Sequence, residues 1–189
     1  KTGCNAKVVE EKLCKLYPNG AVGSFMTEYF NMAFKGTEQA ADFEKATVEL
    51  FRDVFGYETE HVGSIGLTPD VLLVSDSDGY QAIFDNKAYS SYSISNDHRN
   101  RMIHNYIENL GKYSKHSHPL AFFSYIAGGF GNKIDSQIQS VVQETGISGS
   151  AISVSNVISL VEKHQSNPYS HKQLKDLFSL ERQILLSDL

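Results

Sequence analysis

The stretch PDVLLVSDSDGYQAIFDNKAY, residues 69–89, decides the fold. Two apolar runs, 70–75 and 81–87, flank Asp76-Ser77-Asp78-Gly79, and an Asp-Gly pair between apolar runs is hairpin-turn chemistry. The second run is interrupted near its end by Asp85 and Lys87. Charged side chains are rarely buried without compensation. Side chains two apart on a strand leave the same face, so Asp85 and Lys87 project together. Strands joined by a tight turn run antiparallel, which sets the start of one beside the end of the other. The hairpin therefore brings Asp70 next to Asp85 and Lys87.

Outward from the hairpin, helical and extended patterns alternate. Residues 6–17 read as a short amphipathic helix stopped by Pro18-Asn19-Gly20, and 21–35 read as helical too. Residues 38–55 carry a helical stripe of Phe43, Ala46, Val48, Leu50, Phe51 and Val54, closed by Gly56. HVGSIG, residues 61–66, reads as a short strand. Residues 97–113 read as one long helix capped by Asn96 or Asp97. A buried strand over 120–127, a helix over 132–145 closed by Gly146, a strand over 149–154 and helices near 155–164 and 170–180 complete the chain. The order α-β-β-β-α-β-α-β-α implies an α/β layered domain, a mixed β-sheet core flanked by helices. Residues 1–36 read as an N-terminal helical segment or linker, and 37–189 as the domain proper.

Composition bounds the function classes. The chain has 189 residues, 41% of them apolar and 21% charged, as in soluble globular domains. No apolar run is long enough for a membrane span, and the first residues lack the apolar region of a signal peptide. The sequence starts at Lys1 without an initiator Met and so reads as a fragment or a processed product. Cys4 and Cys14 match neither a disulfide framework nor a zinc pattern and read as reduced thiols in a cytosolic protein. A net charge of −5 argues against strong free-standing binding to nucleic acid, because phosphate affinity comes from Lys and Arg. A cutting module delivered to DNA by another domain escapes that objection.

The cluster at the hairpin's open end has a chemistry. Two carboxylates in one site repel, which raises the pKa of at least one unless a cation lies between them. Hard oxygen donors suit Mg²⁺, which takes one or two carboxylates and keeps several waters. A neighbouring lysine could orient or help deprotonate an attacking water, so the set suits metal-assisted phosphodiester hydrolysis. Glu44, on the helix preceding the sheet, is a third candidate acid; Glu49 lies roughly 140° away around that helix and cannot face the site equally. Taken singly, an Asp-x-Lys is more often a surface ion pair.

The joint pattern resembles the PD-(D/E)xK nuclease superfamily, and within it the cleavage domain of FokI-type (type IIS) restriction endonucleases. FEKATVELFRDVFGYETEHVG (43–63), TPD (68–70), FDNKAYS (84–90) and AGGFGNK (127–133) carry the resemblance, which covers roughly residues 40–155. It implies a restriction-endonuclease-like αβββαβ core, Asp70 and Asp85 as metal ligands with the Asn86 carbonyl, Lys87 as catalytic lysine and Glu44 as helix acid. It also implies Mg²⁺, with Mn²⁺ as a substitute, double-stranded DNA as substrate and a bacterial cytoplasmic setting. Transient pairing with a second copy or a partner subunit, and a recognition domain outside this chain, follow from the same resemblance. GSIGLTPD departs from the family, having separated glycines and no basic residue near Pro69.

Other constellations are weaker. The 95–107 segment offers Arg99 and Arg101, and the start of the next helix offers Lys133, as phosphate contacts. His116-Ser117-His118 has the look of a metal pair but reads more simply as a loop before a strand. AGGFGNK reads as a tight strand-to-helix turn, and Phe122, Phe123 and Tyr125 as core. No G-x-S-x-G elbow occurs. The main reading is a Mg²⁺-dependent DNA endonuclease domain. A resolvase-like or transposon-end nuclease of the same fold, and a non-catalytic interaction module, stay open beside it.

Overall fold

The computed structural model describes residues 21–63 and 66–189. The helix expected over 6–17 and both cysteines lie outside them. Helix α1 spans Ala21–Met32. A 3₁₀ turn, Gly36–Gln39, leads into α2, Ala40–Asp53, which stops at Gly56 with φ +75°, the left-handed conformation that favours glycine. The strand expected over 61–66 instead occupies Glu58–His61 (β1). Strands β2, Val71–Ser75, and β3, Tyr80–Lys87, form the hairpin, with Gly79 at φ +64° in its turn.

The long helix expected over 97–113 is broken. Helix α3, Asn96–Asn100, is capped by Ser95, whose side chain accepts from the His98 N–H. It widens into π-helical turns over Arg101–Ile107 and restarts as α4, Leu110–Tyr113. Asn109 accounts for the break: its side-chain amide donates to the His104 carbonyl at 2.5 Å, taking an acceptor the helix would otherwise use. Strand β4 is Leu120–Ala127, α5 is Ile134–Thr145, β5 is Ser148–Ser153, α6 is Val154–Ser166 and α7 is His171–Phe178. A two-residue strand, Gln183–Ile184 (β6), adds an edge too short to announce itself in sequence.

The six strands form one sheet in the order β1-β2-β3-β4-β5-β6. The first two pairings are antiparallel and the last three parallel. Alternation along the strands divides the apolar side chains between two layers. Val71, Leu73, Ala82, Phe84 and Phe122 pack with α1, α2, α6 and α7, whereas Leu72, Val74, Ile83, Phe123 and Tyr125 pack with the π-helical turns of Arg101–Ile107, α4 and α5. Met26, Tyr29 and Ala33 of the first helical segment are fully buried in the former layer. Among the described residues no helix is long and apolar enough to cross a membrane.

Phe84 sits at the centre of the first layer, its ring centroid 4.6 Å from Phe51, 5.2 Å from Phe178 and 6.0 Å from Phe122. Phe84→Ala should cost about 3–5 kcal/mol, read as a drop in denaturant midpoint at unchanged slope. Gly149→Ala should also destabilise, by about 1–3 kcal/mol, because its methyl would overlap the buried Phe123 ring.

Candidate active site

The hairpin register places the central acids. Val71 pairs with Phe84, so one step further sets Asp70 opposite Asp85. On the other side Asp85 pairs in parallel with Tyr125. Asp85 and Lys87 share the face of Ile83, toward α3, at the carboxyl ends of the parallel strands where open α/β sheets place their sites. The Lys87 ammonium lies 2.8 Å from Asp85 Oδ2, with side-chain exposures of 15% and 3%. The pair is therefore a buried feature and not the surface ion pair that Asp-x-Lys usually denotes.

Asn86 points to the opposite face and fastens the site to α2. Its backbone N–H donates to Asp70 Oδ2 at 2.6 Å. Its side-chain amide donates to Thr47 Oγ1 at 2.5 Å and to the Phe43 carbonyl at 3.3 Å. Thr47 in turn bonds the buried Tyr29 hydroxyl at 3.0 Å. Glu44 joins from the same helix, its Oε2 2.8 Å from His61 Nε2 at the end of β1. A methyl at Gly63 would lie 3.1 Å from Glu44 Oε2 and 3.4 Å from Asp70 Oδ1, so this glycine leaves the two acids room to converge. Glu49, by contrast, is exposed. The result is a cavity of about 220 Å³ with Gly36, Glu44, Asp70, Lys87, Tyr89 and His98 in its wall.

The electrostatics are those of a site short of positive charge. Burial, then the proximity of Asp85 and Glu44, push the Asp70 carboxyl well above the ordinary carboxylate range, against the pull of Lys87 and the Asn86 N–H. Burial pulls the Lys87 ammonium down, but Asp85, Asp70 and Glu44 outweigh it and hold the group above its ordinary value. Asp85 Oδ1 is buried without a hydrogen-bond partner among the described residues. An orphaned carboxylate oxygen beside a second, destabilised carboxylate is what a divalent cation would satisfy, so this donor set fits a hard ion such as Mg²⁺.

The other candidates lie elsewhere. Arg99 turns away to α5, donating to Ser140 Oγ at 2.9 Å and pairing with Glu144. Arg101 pairs with Asp97 at 2.8 Å, half-exposed. Lys133 is exposed immediately before α5. His118 bonds Asp76 at 3.0 Å, while His116 lies 3.5 Å from Glu60. Glu58, Asp76 and His116 bring three donor atoms within 4.8 Å of one another, a possible ligand group. Asp76 follows β2 whereas Asp70 precedes it, so this group sits at the far end of that strand, on the order of 20 Å away.

Sequence reasoning missed three supports. Thr47 lies one turn from Glu44 on the same helical face, a spacing that could have shown it. His61 lies inside the quoted 43–63 segment but depends on β1 for its position. The glycine run 127–133 is a backbone seat for the segment after Lys87: Gly128 N–H donates to the Tyr89 carbonyl at 3.0 Å, and Tyr92 N–H donates to the Gly129 carbonyl at 2.8 Å. A methyl on Gly129 would come within 2.6 Å of the Ser90 carbonyl oxygen, which only glycine avoids.

Comparison with known proteins speaks to the fold and the family. No curated protein matches the chain in sequence. Among solved structures, the restriction endonuclease FokI superposes with a TM-score of 0.77 at 21% identity, over 93% of this chain and 34% of that one. FokI bound to DNA superposes with a TM-score of 0.78 at 21% identity, over 93% and 33%. At that identity the likeness establishes the fold, and the chain spans about a third of the length of the FokI chains it matches. The family model of the FokI cleavage domain matches residues 3–185 of the 189, so the chain belongs to the FokI cleavage-domain family of nucleases.

Proposed function

We propose that this chain is the cutting module of a type IIS restriction or nicking endonuclease, a Mg²⁺-dependent hydrolase of phosphodiester bonds in double-stranded DNA. The observation that carries the reading is the unpartnered, buried Asp85 Oδ1 beside Asp70 and the Lys87 ammonium. The family match and the likeness to a FokI structure bound to DNA support the substrate class. Asp70, Asp85 and the Asn86 carbonyl would hold the ion, which when bound supplies a nucleophile at neutral pH and screens charge at the phosphorus.

The chain's own groups supply the remainder. Lys87, kept protonated by its three acidic neighbours, acts as a fixed positive charge facing the oxygens that become more negative in the transition state. A lysine so held serves as an electrostatic stabiliser and orienting donor and not as the base that removes a proton. Glu44, held by His61, adds a carboxylate oxygen that can accept a hydrogen bond from an attacking water. Asn86 locks the spacing of the two acids, because its N–H holds Asp70 while its side chain holds α2. One such site cuts one strand, so a double-strand break calls for a second copy or a partner subunit. Sequence recognition is assigned to a domain outside this chain, in keeping with its net charge of −5.

The first test is cleavage of supercoiled plasmid by the purified chain over rising protein concentration, with Mg²⁺ or EDTA. Metal-dependent cutting is expected, reduced at least about 100-fold in Lys87→Ala. Activity that survives EDTA, or is untouched in Lys87→Ala, would sink the assignment. A double-strand cutting rate that climbs faster than linearly with protein is expected from pairing, whereas strict proportionality would indicate a nicking monomer.

A second prediction concerns stability. The Asp70 carboxyl is raised in the folded state, so its ionisation opposes folding: without a divalent ion, stability falls as pH rises through and above the ordinary carboxylate range. Asp70→Asn keeps an acceptor for the Asn86 N–H and removes the charge. It should raise the denaturation midpoint at neutral pH while abolishing cutting. Added Mg²⁺ should stabilise the wild type and not this variant; an Asp70→Asn protein less stable than the wild type in EDTA would contradict the repulsion on which the site depends.

A further inference from the structure

Two polar side chains in the wall of the cavity have no role beside the acids, Asn86 and Lys87: Tyr89, which is half-exposed, and His98. His98, the third residue of α3, lines the cavity with Glu44, Asp70 and Lys87. Its Nδ1 lies 2.9 Å from the Tyr92 hydroxyl, and the two rings stack with centroids 5.7 Å apart and 29° between planes. Tyr92 is 3% exposed and anchored by backbone hydrogen bonds to Gly129 and Gly131. Arg99 and Arg101, the cations that sequence offers for this helix, are turned to α5 and to Asp97. The residue beside them faces the reaction centre instead.

The hydrogen bond fixes which nitrogen carries the proton. Burial keeps the Tyr92 phenol protonated well above its ordinary range. His98 Nδ1 is the hydroxyl's only partner among the described residues. If the phenol accepted from Nδ1–H, its own proton would be left unpaired inside the protein, which costs more than the bond returns. The phenol therefore donates, Nδ1 accepts, and the ring hydrogen resides on Nε2. Burial, then the Lys87 charge, lower the His98 pKa and favour this neutral form; Asp85 and Asp97 oppose the shift and Arg101 adds to it. With Nδ1 engaged by Tyr92, the ring's free N–H is Nε2, on a side chain that lines the cavity, and no described residue accepts from it.

We propose that His98 is a substrate-contacting residue whose neutral imidazole, oriented by Tyr92, donates from Nε2 to a non-bridging phosphate oxygen of the DNA strand seated beside Lys87. This rests on the nuclease reading and adds to it a neutral phosphate donor that no charge pattern reveals. Its role is to fix the strand's position in a site already rich in carboxylates, where a second mobile cation would compete for Asp70 and Asp85.

The test compares wild type, His98→Ala, His98→Gln and Tyr92→Phe in plasmid cleavage, in binding of a short fluorescent duplex across a salt series, and in thermal unfolding. His98→Ala should raise KM about five- to tenfold, the worth of one neutral hydrogen bond. The slope of log affinity against log salt should be unchanged, because a neutral donor releases no counterion. His98→Gln, which keeps an N–H donor, should recover most of the loss. Tyr92→Phe should reproduce it with His98 intact, because the ring is no longer oriented. Cutting by the wild type together with an unaffected His98→Ala would overturn this proposal alone. So would a salt slope reduced by about one, which would mean an imidazolium contact. Loss that tracks a lower unfolding temperature, with no recovery in His98→Gln, would mark a packing residue and overturn it too. A wild type that never cuts, even when fused to an unrelated DNA-binding domain, would overturn the nuclease reading and this proposal with it.

Discussion

Asn86 is the residue on which the geometry of the site depends. Its backbone N–H holds Asp70 across the hairpin, and its side chain holds Thr47 and the Phe43 carbonyl on α2. Through α2 it fixes the origin of Glu44, and through β3 it fixes Asp85 and Lys87 on either side of itself. A strand residue can do this because its neighbours leave the opposite face of the sheet. One amide thus ties a helix from one layer to acids that open on the other. The aromatic packing of Phe51, Phe84, Phe122 and Phe178 keeps the strand that carries it from shifting.

That framework holds together groups that oppose one another. Asp70 and Asp85 face each other at the end of the sheet with Glu44 nearby, and one ammonium stands against three acids. Hydrophobic burial on both faces of a six-stranded sheet offsets the electrostatic cost. Functional sites commonly carry such local conflict, because groups arranged for a ligand are poorly satisfied without it. The unpartnered Asp85 oxygen is the most direct sign of it here. The chain belongs to the FokI cleavage-domain family of nucleases and its sheet has the fold of the FokI structures.

The two arginines that precede and open the π-helical turns are paired with acids, Arg99 with Glu144 and Arg101 with Asp97, and the chain as a whole is acidic. Beyond the acids, Asn86 and Lys87, the polar side chains that meet the cavity are Tyr89 and His98, the latter with Tyr92 behind it. On the proposed reading, weak intrinsic attraction for DNA suits a module that another domain would bring to its substrate, since little would hold it on other sequences.

Much of this was legible in residues 69–89. The Asp-Gly turn and the period-two alternation determine an antiparallel hairpin, and the hairpin determines that Asp70 meets Asp85 and Lys87, because pairing across a short turn leaves no other register. Helical periodicity likewise set α2, α5 and the placement of Glu44 on the face toward the sheet. Tertiary structure alone decided the partners of single long side chains. Arg99 and His98 are adjacent in sequence, yet a helix sends neighbouring side chains about 100° apart, so one reaches Glu144 and the other the cavity. The break at Asn109, the position of β1 and the two-residue β6 rest on hydrogen bonds to distant or competing backbone that no local pattern encodes. The sequence by itself determined which groups could do chemistry, because strand and helix periods are local; only the packing of the helical segment 96–107 against the sheet decided which of its polar residues faces the cavity.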